Sequence, residues 1–178
     1  MRHDFEMRWL LPAATLLAAA PAAATTYFTL EQAQHSLFPG QAMALQQLTL
    51  TPAQAKAVQA ASGVRVRTPE LRLWRAADGG WFYLDQVLGK HEFITYALAL
   101  DAHGSVIGLE ILDYRETYGD AIRNPKWRAQ FTGKRHGAPL KLDSDIVNLS
   151  GATLSSAHIV EGVRRLLATH ALVVAQHG

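Results

Sequence analysis

Apolar positions along this chain change their period several times, and each change predicts an element. Trp9 to Ala24, WLLPAATLLAAAPAAA, is an apolar run closing in small residues. Thr29-Leu30-Glu31-Gln32 and Thr51-Pro52-Ala53-Gln54 each read as a capping box at the start of a short helix, with threonine capping and glutamine at the third helical position. Pro52 suits a first turn, while Pro39-Gly40 and Gly63 supply the stops. From Val64 the period moves toward two, in VRVR, ELRLWR and, after the turn Ala77-Asp78-Gly79-Gly80, WFYLDQVL. That alternation predicts antiparallel strands with one wet face.

Residues 93 to 100, FITYALAL, are apolar on both faces, and Asp101-Ala102-His103-Gly104 turns them into VIGLEILDY, residues 106 to 114. The pair predicts the central hairpin of a sheet. A loop-rich stretch runs from Arg115 to Asp145. Ile159, Val163, Leu166, Leu167, Ala171 and Val174 then recur at the spacing of one helical face. The predicted fold is α+β: an antiparallel sheet of four or five strands, two short N-terminal helices and a long C-terminal helix packed on the sheet.

With 178 residues, 49% apolar and 18% charged, the chain suits one domain and one core. Ala22-Ala23-Ala24 fits the small-x-small rule for signal cleavage, so residues 1–24 are expected to be a signal peptide and residues 25–178 the mature domain, exported to the periplasm. Met7-Arg8 would open a conventional signal and offers a second start beside Met1. The alternative for this run is an uncleaved segment that keeps the protein at a membrane, although its 16 residues and two prolines fall short of the roughly 20 apolar residues of a spanning helix.

The chain has no cysteine, which excludes disulfides, a lipid-modified cysteine, cysteine-held iron–sulfur clusters and the C-x-x-C-H attachment of haem. The net charge of +2 is that of an ordinary domain, and without a sustained Lys/Arg stripe nucleic-acid binding has no support. Arg123, Lys126, Arg128, Lys134 and Arg135 make one stretch locally basic, read first as a solvated face and second as an anion-attracting one.

Ser150-Gly151-Ala152-Thr153 precedes the last helix. Glycine and alanine remove bulk beside a hydroxyl, and the positive end of the helix suits a phosphate, so a phosphoester to Thr153 is chemically reasonable. The alternative is a plain turn whose Ser and Thr hydroxyls cap the helix.

The surrounding residues resemble the FMN-binding domain family, which includes flavin-carrying subunits of the Rnf and sodium-pumping NADH:quinone reductase complexes. In that family a Ser/Thr-Gly-Ala-Thr motif leads into a C-terminal helix, and its last threonine receives FMN from a separate magnesium-dependent flavin transferase that uses FAD. GSVIGLEILDY followed by Arg115-Glu116-Thr117-Tyr118-Gly119 is similar to the family's strand and Glu-Thr-x-Gly loop, WRAQFTGK to its Q-F-x-G-K/R segment, and PLKLDSDIVNLSGATLSS to the run before the attachment site. The resemblance implies Thr153 as the attachment point, Ser150, Gly151 and Ala152 as an access turn, and Glu116, Thr117 and Gly119 beside the flavin. Two positions depart from the family: Val147 stands where an Asp is usual, with Asp145 the nearest acid, and Tyr118 where many members have Pro.

Elsewhere the eight histidines show no metal-binding pair at helical spacing, and His91-Glu92 reads as a strand edge. Trp74, Trp81, Tyr83 and Trp127 read as core residues before ring-stacking ones. No nucleophile elbow, P-loop or dinucleotide fingerprint occurs. The expected function is therefore an extracytoplasmic electron carrier with FMN as cofactor, served by a flavin transferase and a membrane-bound redox protein as donor or acceptor, rather than an enzyme with its own substrate. A noncovalent FMN module, a periplasmic flavin reductase and an exported non-redox interaction domain are the alternatives.

Overall fold

The structure, a computed structural model, describes residues 25–26, 28–116 and 120–176. The predicted signal peptide, residues 1–24, lies outside them. In chain order the elements are β1 (Thr25–Thr26), α1 (Leu30–Leu37), β2 (Met43–Thr49), α2 (Pro52–Ser62), β3 (Glu70–Ala76), β4 (Trp81–Leu88), β5 (Phe93–Leu100), β6 (Val106–Tyr114), α3 (Pro125–Arg128) and α4 (Thr153–Leu172). All strand pairs are antiparallel, in the order β1-β6-β5-β4-β3-β2, so five full strands carry a two-residue strand at one edge. The α+β arrangement is the predicted one.

Both capping boxes form. Gln32 N donates to Thr29 Oγ1 at 3.2 Å while Thr29 N donates to Gln32 Oε1 at 2.8 Å. At α2 the same pair of bonds joins Thr51 and Gln54 at 3.2 and 2.9 Å. Each helix thus closes its own first turn. Gly63 ends α2 in the left-handed region, with φ of 70°.

The sheet is covered on both sides. On one face α2 and α4 enclose Val58, Leu73, Tyr83, Ile94, Tyr96, Leu98, Ile159 and Val163. On the other, α1 covers Ala33, Phe38, Phe82, Leu84, Ala97 and Ala99. This corrects the expectation of a wet face along β4, where Trp81, Phe82, Tyr83 and Leu84 are all buried. It also explains the two-sided apolarity of β5, which pairs with β4 on one side and β6 on the other at the middle of the sheet.

Two strand predictions need correction, and one strand was missed. VRVR, residues 64 to 67, is not a strand: pairing between β2 and β3 stops at Thr49 and Glu70, where Pro69 has no N–H to extend the ladder. Val66 still packs on the core, which preserves the alternation without a partner strand. β2 went unpredicted because four consecutive residues, Ala44 to Gln47, are exposed and erase any period of two. His91-Glu92 belongs to the turn between β4 and β5, closed by Gly89 N donating to Glu92 O at 2.7 Å.

Contacts along α4 set its direction. Gly162 lies against Val87 Cγ1, where an added Cβ would come within 2.8 Å. Arg165 Nη2 donates to Asp85 Oδ2 at 2.5 Å, and His170 Nδ1 is hydrogen-bonded to Tyr83 Oη at 2.7 Å. As residue numbers rise along α4 they fall along β4, so the helix runs antiparallel to that strand. Its N-terminus therefore lies at the end where β4 turns into β5. Ile159, Val163, Leu166 and Leu167 are fully buried beneath it, each contributing about 1.5–3 kcal/mol to holding the helix in place.

Candidate functional site

Thr153 is the first residue of α4 and is exposed. Ahead of it Ala152 is the N-cap, buried, with φ of −131° and ψ of 25° and no side-chain hydrogen bond onto the helix. Gly151 has φ of 80° and open space where a Cβ would stand, and Ser150 is exposed. The turn is held instead by Ala152 N donating to Leu149 O at 3.0 Å.

The hydroxyls that sequence reading offered as caps do other work. Ser156 is buried, with its hydroxyl 3.1 Å from Asn148 Oδ1 and 3.0 Å from the Ala152 and Thr153 carbonyl oxygens. Ser155 faces Tyr114 Oη at 3.4 Å. The plain-cap reading is thereby overturned. The first turn of α4 presents its N–H groups and positive dipole end beside an exposed hydroxyl, with no side chain of its own to satisfy them.

A brace fixes the approach to this turn. Trp127 Nε1 donates to Val147 O at 2.7 Å, and Val147 N donates to Gln130 Oε1 at 2.8 Å. Trp127 is itself buried edge-on against Phe131, with ring centroids 5.2 Å apart. Asp145 accepts from Lys134 Nζ at 2.9 Å, Leu140 N at 3.1 Å and Lys141 N at 2.6 Å. Slight burial works to raise its pKa, but these donors outweigh burial and hold the carboxyl below its ordinary range. Asp145 is thus committed to the loop and does not replace the acid absent at Val147.

Glu116 sits near the same end, two residues beyond β6. Its Oε1 accepts from His91 N at 2.6 Å and Glu92 N at 3.1 Å, tying the β4–β5 turn to the end of β6. Desolvation raises its pKa, yet the backbone N–H groups of His91, Glu92 and Lys90 prevail and lower it. The turn packs closely against this carboxylate: a Cβ at Gly89 would lie 2.6 Å from Glu116 Oε1. Thr117 and Gly119 lie outside the described residues, as does Tyr118.

Two further sequence readings resolve differently. The basic stretch is only partly a solvated face: Arg128 pairs with Glu110 and donates to Leu109 O at 2.6 Å, Lys134 pairs with Asp145, and Arg135 donates to Ser105 Oγ. Trp81, Tyr83 and Trp127 are buried, as their core reading required, and Trp74 packs edge-on against Phe82. The exposed apolar side chains at this end are Leu88 and Phe93, which flank the β4–β5 turn, with Val147 and Leu154 on either side of the access turn.

An open helix N-terminus, a small-residue turn, an exposed hydroxyl and nearby apolar side chains suit a phosphate attached to a planar ring. The sequence from Gly89 to Ala168, which spans the turn, β5, β6, the brace and most of α4, matches the FMN-binding domain family over residues 89–168. Residues 89–168 are thus similar to an FMN-binding domain. Its cofactor is FMN. No curated protein matches the chain. Among solved structures it is similar to Shewanella oneidensis NqrC, with 16% identity, a TM-score of 0.49, and coverage of 71% of this chain and 70% of that one.

The matched region depends on residues that periodicity does not reveal. Gln130 and Trp127 were visible only as part of a similar segment, and their task of gripping Val147 across 17 and 20 residues has no local signature. Gly89 carried a faint signal, a glycine just after a strand, which marks a turn or a close approach.

Proposed function

We propose that this protein is an extracytoplasmic electron carrier whose FMN is joined through its phosphate to Thr153. The observation that carries this reading is the uncapped start of α4 at an exposed threonine, in a chain whose α1 and α2 close their own first turns with capping boxes. FMN accepts electrons in pairs and releases them singly. The chain's own residues would do the rest. The first-turn N–H groups and helix dipole offset phosphate charge, Gly151 leaves the approach clear, and Asn148 and the Trp127–Gln130 brace hold the turn in register.

A tether makes physical sense outside the cytoplasm, where lost cofactor is not readily replaced. A separate flavin transferase would form the bond, and a membrane-bound redox protein would exchange electrons with the carrier. The N-terminal apolar run supports export, with retention at the membrane if it is not cleaved.

The test is mass spectrometry with in-gel flavin fluorescence on denatured mature protein co-expressed with a flavin transferase, comparing wild type with Thr153→Val. The wild type should gain one FMN less one water and the variant nothing. An unshifted, dark wild type would remove the covalent bond and leave a noncovalent FMN domain.

A further inference from the structure

The pairing of β3 with β4 covers only Arg72 to Arg75 against Leu84 to Trp81, while β4 continues to Leu88 and pairs there with β5 alone. The sheet therefore splits. β3 and the segment before it diverge from β4, leaving one backbone edge of Asp85–Leu88 without a strand partner. α4 crosses behind the split. The space enclosed is a cleft of about 430 Å³, within the range of small-molecule sites, about 300–1,000 Å³.

Leu71, Tyr83, Val87 and Leu166 give the cleft apolar walls, and the Asp85–Arg165 ion pair lies at its base. Arg65, Arg67 and Arg72 line it, are exposed, and have no carboxylate partner among the described residues. Glu70, Glu161 and His158 complete the polar rim. A rim guanidinium is a planar fork suited to carboxylate, and the unpaired strand edge adds backbone donors and acceptors.

We propose that this cleft is a second binding site, for a small organic anion with a ring-sized apolar body and at least one hydrogen-bond donor. The anionic group meets Arg65 and Arg67, the ring lies between β4 and α4, and a rim carboxylate accepts from the donor. The site is distinct from the FMN attachment point: Arg165 stands 12 residues along α4 from Thr153, about 18 Å at the helical rise. The nearer wall is formed by His158, little more than one turn from Leu154, and by Leu88 and Phe93, which the cleft shares with the flavin end. A bound molecule therefore lies alongside the flavin end of the helix without requiring it.

The experiment is a fluorescence titration of the full mature protein with hydroxynaphthoate, a planar fluorescent carboxylate bearing one phenolic donor. It is run on wild type with and without FMN loaded, on Thr153→Val, and on the double variant Arg65→Glu/Arg67→Glu, whose sites are exposed and tolerate the change. Saturable one-to-one binding is expected in every form but the arginine variant, where affinity should fall at least about tenfold on losing a charge-assisted contact. Absence of saturation, or equal affinity in the arginine variant, would overturn the proposal. Loss of binding on loading FMN would also overturn it, by assigning the cleft to the flavin ring.

Discussion

Two helices on the same face of this sheet begin with a threonine at or beside their cap, and they meet water differently. Thr51 precedes α2, turns its hydroxyl onto Gln54 N, and receives the Gln54 side chain in return. Thr153 lies one position further in, as the first residue of α4 behind a buried alanine, and its helix makes no side-chain cap. One residue of displacement separates a threonine that satisfies its helix from one that leaves both helix and hydroxyl available. α4 can tolerate an open end because Ile159, Val163, Leu166 and Leu167 anchor it. The shorter α2 buries few side chains and relies more on its own ends.

The sharpest way to break this comparison is Thr153→Val, which should abolish covalent flavin altogether, while denaturant unfolding of the flavin-free protein shifts by no more than about 0.5 kcal/mol. A large loss of stability would show that Thr153 supports the fold after all. Next in size is Gly162→Ala. The new methyl would collide with Tyr96 Oη and with Val87 Cγ1, lifting α4 from β4 at a cost of about 1–3 kcal/mol by chemical denaturation. Flavin attachment should slow with it, because the open N-terminus moves with the helix.

Thr51→Ala should cost about 1 kcal/mol by thermal or denaturant unfolding and leave flavin attachment at wild-type level. Equal costs for Thr51→Ala and Thr153→Ala would erase the contrast between the two helix starts.

The far end of α4 supplies an effect visible only in acid. Burial, with help from the Arg75 charge, pushes His170 down from 6.5 to about 4. The unfolded chain therefore takes up a proton first as pH falls. The resulting stability is fully present above pH 6.5 and is lost progressively toward pH 4. His170→Gln should flatten the dependence of melting temperature on pH across that window. An unchanged slope would mean that His170 is not held neutral against Tyr83.

Much of the fold was legible. The capping boxes at Thr29 and Thr51, the hairpin from Phe93 to Tyr114 and the apolar stripe of α4 are local patterns with short-range causes. VRVR misled because Val66 finds the core without finding a strand. β2 was invisible because an edge strand that buries almost nothing has no reason to alternate. At the site, the Ser-Gly-Ala-Thr turn and its phosphate-compatible chemistry were readable from residue size and hydroxyl placement.

The chain alone determined its helix starts, its turn glycines, its apolar helix face and an accessible hydroxyl at residue 153, because each depends on neighbours within a few positions. Only the tertiary structure decided that Asp145 is bound inward, that Glu116 fastens a distant turn, that Gln130 and Trp127 grip Val147, and that the sheet splits beside α4. Those contacts join residues up to 25 positions apart, and no local pattern records which donor meets which acceptor once the chain has closed on itself.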